Sequence, residues 1–129
     1  DNESDETTHY SVVDNDGNAV SVTSTLNQNF GNKHIVAGAG FFLNNEMDDF
    51  SIKPVTPNFW GLVGSKANSI EPNKRPLSSM TPTIIMYDGA PIMTIGSPGG
   101  SKIITTVLQC ILNVYFVDFA KKLVQLMQL

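Results

Sequence analysis

Twice in this chain an Asp-Gly pair sits between two runs rich in β-branched and aromatic residues. Thr7 to Val13 leads into Asp14-Asn15-Asp16-Gly17-Asn18 and returns through Ala19 to Leu26. Thr83 to Tyr87 leads into Asp88-Gly89 and returns through Pro91 to Ile95. Such runs read as strands, and Asp-Gly favours a tight hairpin because Gly accepts positive φ. In the first return strand Val20 and Val22 fall on one face, and Ser21, Thr23 and Thr25 on the other. That hairpin would carry Thr25 back towards Thr7. After the second hairpin a helix is expected to start near Gly100-Ser101. It would place Ile103, Ile104, Val107, Leu108, Ile111 and Leu112 on a broad apolar face. Cys110 on that helix, with Met86 and Met93, is expected in the core. Strands followed by a helix predict an α+β fold.

The segment between the hairpins is harder to place. Gly31, Gly38 and Gly40 break it early, and Pro54, Pro57, Gly61 and Gly64 mark a long irregular stretch reaching about Arg75. Loops of that length inside a compact domain often act as lids or binding loops. At 129 residues the chain fits one domain, and its 41% hydrophobic content is ordinary for a globular protein.

The net charge of −4 matters less than its location. Four of the 12 acids lie in Asp1 to Glu6, an apolar-free stretch that reads as a solvated tail, and the rest of the chain is neutral. With no basic excess, a nucleic-acid partner is not expected. The single Cys excludes an internal disulfide. Asp1 onwards is the opposite of a cationic start followed by an apolar run, so no signal peptide is visible. The most apolar stretch, Ile103 to Ala120, is interrupted by Thr105, Thr106, Gln109, Asn113 and Asp118, which argues against a membrane span.

Several residues carry possible chemistry. Thr7 is either a plain strand threonine or a nucleophile, and a hydroxyl nucleophile needs a base. If the bond before Thr7 were cut, its own α-amino group, with a reference pKa of about 7.7–8.0, would serve. His9 lies two residues on and shares the face of Thr7, so a Thr–His dyad is possible on paper. His34 is expected exposed in a loop. Glu46 and Asp49 suggest a solvated loop or a metal site; a metal is disfavoured by the absence of a nearby His and of an Asp-x-Asp-x-Asp calcium pattern. Ser78 and Ser79 lie in a turn stiffened by Pro76 and Pro82. Gly96 to Ser101 fails as a phosphate loop, which would need Gly before Lys102 and Ser or Thr in place of Ile103. It reads instead as a strand-to-helix turn, capped by Ser101, whose Gly99 and Gly100 N–H groups can face a developing oxyanion. Losing one such donor typically costs about 10²–10³ in rate.

Four segments in order, Thr7-Thr8-His9-Tyr10-Ser11, Leu43 to Ser51, Asn73 to Thr83 and Gly96 to Gln109, resemble the small-subunit core of the gamma-glutamyltransferases. These are also called glutathione hydrolases and belong to the N-terminal-nucleophile hydrolases. The resemblance runs from Thr7 to about Asn113. It implies part of a layered α-β-β-α sandwich, with 1–6 as the end of a large subunit and 7–129 as a small-subunit core. From about Val114 the chain is expected to be truncated or divergent, because a Pro-Arg-Phe-His-like segment is missing. The family cuts itself before the nucleophile, here Thr7, and uses the freed α-amine as base, which leaves His9 a structural role. Thr25 would orient Thr7, and Gly99 and Gly100 would form the oxyanion hole. Asn27, Glu46 and Asp49 would hold the α-ammonium of a γ-glutamyl group. Ser78 and Ser79 would hold its α-carboxylate, with an Arg from the large subunit for which Arg75 is no substitute.

The resemblance implies glutathione and other γ-glutamyl compounds as substrates, with water, amino acids or peptides as acceptors. It implies no cofactor and no metal, a large subunit as partner, and a periplasmic or extracellular location. Trp60 stands where several members have a lid Tyr. A cephalosporin or glutaryl acylase of similar fold, or an inactive fragment acting only in chain assembly, is the alternative. An acylase whose acyl group lacks an α-amine would leave Asp49 unpaired.

Overall fold

The structure, a computed structural model, describes residues 7–53, 55–59 and 61–126, with side chains as far as residue 117. The acidic tail 1–6, Pro54, Trp60 and the last three residues lie outside the described residues. The element order follows the sequence expectation closely. Strands β1 (Thr7–Val13) and β2 (Ala19–Thr25) form one hairpin, β3 (Thr83–Tyr87) and β4 (Ala90–Ile95) a second, and helix α1 (Ile103–Leu126) follows. This is a mixed α+β fragment with two small antiparallel sheets.

Each hairpin is closed by the chemistry of its turn. Asp14 Oδ1 accepts the Asp16 and Asn18 N–H groups at 2.9 and 2.8 Å, and Oδ2 accepts the Asn18 side-chain amide at 2.7 Å. Donation from Asn18 holds the Asp14 carboxyl below its ordinary range. The register then runs from Val13 opposite Ala19 to Thr7 opposite Thr25. In the second hairpin Asp88 and Gly89 have φ of 49° and 78°. Two positive φ values in succession make a primed turn, whose twist suits the strands it joins. A bulge lies between Ile85 and Met86.

The hairpins meet through polar side chains. Ser21 donates to the Ile95 carbonyl at 3.2 Å, and Thr94 Oγ1 donates to Ser11 Oγ at 2.9 Å. On this side Thr7, His9, Ser21, Thr23 and Thr25 are half-buried, while Tyr10, Val12 and Val20 are exposed. Small hydroxyls here let the second hairpin come close and give its backbone partners. Gly96 lies so near the His9 ring that an added Cβ would fall on the imidazole.

The described core is small: Phe50, Ile103 and Val107 are the buried hydrophobic residues. The broad apolar face expected of α1 is therefore only partly used. Ile103 and Val107 are buried and Ile111 is half-buried, but Ile104, Leu108 and Leu112 are exposed. Cys110 is exposed rather than a core thiol, Met86 is exposed, and Met93 is half-buried. Burial of the helix thus rests on the i, i+4 pair Ile103 and Val107, with Ile111 partly covered and the rest of the stripe exposed. By length and composition, though, Gly100–Val117 is apolar enough to cross a membrane, with a mean hydropathy of 1.3.

Gly96→Ala should lower the stability of the complete protein by about 1–3 kcal/mol, because overpacking here must displace a hydrogen-bonded ring. Denaturant unfolding at constant m-value measures it.

Candidate active site

Between the two hairpins the chain has little ladder, so side chains must satisfy the loop backbone. After β2 it turns sharply: Asn27 is buried and sits at φ 75°, a left-handed conformation that Asn tolerates better than most residues. The Thr25 hydroxyl accepts the Asn27 N–H at 3.0 Å, and Asn27 Nδ2 donates to the Asn45 carbonyl at 3.2 Å. Asn45 answers from the other side. Its N–H donates to Leu26 O at 3.1 Å, its Oδ1 accepts from Gln28 N–H at 3.2 Å, and its Nδ2 donates to Gln28 Oε1 at 2.8 Å. The excursion between them is closed by a Phe30–Phe42 ring contact at 5.2 Å.

This clasp places the 3-10 turn Glu46–Asp49 beside the end of β2. Its three acids have different surroundings. Asp48 Oδ2 accepts the Phe59 N–H at 3.0 Å and so holds the following loop. Glu46 and Asp49 are half-buried. Burial, and then the neighbouring Asp49, pushes the Glu46 carboxyl above its ordinary range; burial, and then Asp48, does the same to Asp49. A second clasp, Asn68, donates to the Asp49 carbonyl at 2.7 Å and accepts the Leu77 N–H at 2.9 Å. It ties the acid turn to the serine loop, where Ser78 Oγ accepts the Met80 N–H at 3.2 Å.

A cavity of about 20 Å³ forms where these pieces converge, lined by Thr7, Thr25, Asn27, Asp49, Ser78, Ser79, Met80, Gly100 and Ile103. A larger cavity of about 180 Å³ shares Asp49 and Ser79 and is lined as well by residues such as Ile52, Thr56, Leu62 and Val63, but not by Thr7. The small cavity is the better candidate because it holds a hydroxyl, a carboxylate, paired serines and a helix start within one wall. Glu46 and Gly99 are the two expected site residues that do not line it. Gly99 (φ 133°) and Gly100 (φ 55°) make the turn into α1, and consecutive values in this range require glycine. Ser101 does not cap the helix: Gly99 occupies the cap position, with no side-chain cap bond. Backbone N–H groups at the start of the helical segment thus lack a side-chain cap, which suits an anion there.

His9 stands apart from the cavity. Its Nδ1 is 2.8 Å from Thr23 Oγ1 and its Nε2 is 3.1 Å from Ser11 Oγ. With both ring nitrogens engaged by strand hydroxyls, a Thr–His dyad has no free imidazole nitrogen. His34 is exposed. Asn45, Asp48 and Asn68 were not anticipated from the sequence, because an Asn or Asp in a loop announces no chemistry; only their place before or within short turns hints at capping.

The gamma-glutamyltranspeptidase family model matches residues 1–127. The chain belongs to the gamma-glutamyltranspeptidase family. It is 62% identical to the glutathione hydrolase proenzyme of Escherichia coli over 111 residues, which is 86% of this chain and 19% of that protein. It therefore spans about a fifth of the length of the curated relatives it matches. The crystal structure of the T380A mutant of Helicobacter pylori gamma-glutamyltranspeptidase superposes with a TM-score of 0.82 at 62% identity, covering 86% of this chain and 60% of that one. The Pseudomonas nitroreducens enzyme complexed with L-DON gives 0.83 at 57% identity, covering 86% and 57%.

The raised acids have a consequence for stability. Because Glu46 and Asp49 titrate at higher pH folded than unfolded, the folded state holds more protons in the window between the two values. Stability then falls as pH rises through that window. Asp49→Asn removes one desolvated charge, so the substrate-free protein should melt higher than wild type at pH 7. The gain should vanish below the ordinary carboxylate range, as thermal melting across pH would read out.

Proposed function

We propose that the complete protein is a glutathione hydrolase that transfers γ-glutamyl groups through Thr7. The observation that carries this reading is the single cavity wall joining Thr7 to Asp49, Ser79 and Gly100, in a chain of this family. The relatives are proenzymes, which supports maturation by cutting before Thr7. Thr7 Oγ attacks the carbonyl carbon of Glu6, and the peptide C–N bond breaks to leave Glu6 as an ester on Thr7. Water hydrolyses that ester to give a large subunit ending in a carboxylate and a small subunit with a free Thr7 hydroxyl and α-amine. The freed α-amine then takes the Thr7 hydroxyl proton as that oxygen attacks the γ-glutamyl amide. The oxyanion is held by backbone N–H groups at Gly99 and Gly100. Collapse releases the amine, which takes up the proton, and leaves an ester on Thr7. Water or an acceptor amine, deprotonated by the same amino group, cleaves the ester.

Specificity follows from charge. Asp49, with Glu46 behind it, meets the substrate α-ammonium, and Ser78 and Ser79 meet the α-carboxylate. Hydrogen bonds to charged groups of this kind are worth about 1.5–3 kcal/mol each. A large subunit would supply the cation that the carboxylate also needs. It would complete the layered sandwich and cover apolar residues such as Leu108, Leu112 and Val12, which are exposed in this fragment. Export to the periplasm or beyond belongs to the same proposal.

Two measurements test it on the complete precursor. Incubation should yield a new N-terminus at Thr7, and Thr7→Ala should stay uncut; cutting elsewhere, or normal cutting of the variant, would refute the maturation step. Asp49→Asn should lower kcat/KM for a γ-glutamyl anilide by about tenfold or more while sparing a glutaryl anilide, which has no α-ammonium. Equal losses on both would favour a glutaryl-type acylase.

A further inference from the structure

We propose that Asn68 is a positioning residue that sets the separation between the two ends of the α-amino-acid pocket. The inference rests on the γ-glutamyl reading above. The ammonium and carboxylate of the substrate sit on one carbon, so the groups that receive them must be held at one spacing. Asp49 and the Ser78–Ser79 pair come from segments far apart in sequence. One planar amide spans them: Asn68 Nδ2 donates to the Asp49 carbonyl at 2.7 Å, and Oδ1 accepts the N–H of Leu77, the residue before Ser78, at 2.9 Å. The Asn68 backbone carbonyl also accepts the Ser51 N–H at 2.9 Å, fixing the chain just after the acid turn.

Asn suits this place chemically. It offers a donor and an acceptor on a short, half-buried side chain at the end of the 3-10 turn Lys66–Asn68. Binding sites need their groups held to within about 0.5 Å, and this amide fixes two loops at once. Neither hydrogen bond touches the nucleophile or the oxyanion glycines, so the effect should fall on substrate binding and spare the chemistry.

The test uses the complete, processed protein with γ-glutamyl-p-nitroanilide, and counts active sites by the amount of cleaved small subunit. Asn68→Ala should raise KM about tenfold or more and leave kcat per cleaved site within about threefold, the pattern of lost uniform binding. Asn68→Ser, too short to reach both partners, should show the same split and serves if the alanine variant does not mature. An unchanged KM, or kcat and kcat/KM falling together, would overturn the role. A wild-type protein that hydrolyses the glutaryl anilide as well as the γ-glutamyl one would sink the underlying reading. A selective wild type whose Asn68 variants keep its KM would sink this inference alone.

Discussion

Side-chain amides hold the functional half of this chain in place. From residue 26 to residue 82 there is almost no strand ladder, yet backbone N–H and C=O groups must find partners or stay in water. Asn45 answers for the loop leaving β2, Asn68 for the join between the acid turn and the serine loop, and Asn58 Oδ1 for the Leu62 N–H at 2.9 Å. Asn45 and Asn68 each give a donor and an acceptor outside the strand ladders, and Asn58 gives an acceptor. An irregular segment held this way keeps a defined shape with little apolar burial, and so leaves polar groups facing a cavity.

The hairpins supply the rigid side of that cavity. Their contact is made by Ser21, Thr94 and the Gly96–His9 approach, while Val12, Val13 and Val20 are exposed. A polar inner face gives the half-buried Thr7 hydroxyl polar neighbours in Ser21, Thr23 and Thr25 on the same side. The register that puts Thr7 opposite Thr25 follows from the Asp14 turn at the far end of the ladder. A slip of one residue there would move Thr7 to the other face. The turn and the placement of Thr7, six residue pairs apart along the strands, are thus one structural decision.

Local chemistry was legible in the sequence where it acts over a few residues. The Asp-Gly turns, the strands beside them and the helix start at Gly100 could all be read, because each depends on the conformational preference of its own residues. What depends on absent or distant surfaces could not. Leu108 and Cys110 lie on a helix whose apolar pattern is real, but which face is covered depends on what lies against it. Ser101 looked like a cap because Ser often is one; the positive φ of two glycines moved the cap position to Gly99. Grouping Asp49 with Ser79 required long-range pairing that no spacing encodes, and came through resemblance to a family. Asn68 carried no such signal and emerged only from the hydrogen bonds.

The acid turn shows how such a site tolerates local cost. Glu46, Asp48 and Asp49 crowd one short turn, and the carboxyls of Glu46 and Asp49 are desolvated enough to resist ionisation. Asp48 instead accepts the Phe59 N–H and so holds the following loop. Neither Glu46 nor Asp49 takes part in an ion pair among the described residues, where the single bridge joins Lys74 to Glu71 on the surface. Like charges held close and partly dry bind an incoming ammonium more strongly than the same acids in water, since the attraction is less screened and their mutual repulsion is relieved on binding. On the proposed γ-glutamyl reading, the cost of the empty pocket and a preference for a cationic acyl group would have one origin. A change that eases the first would weaken the second.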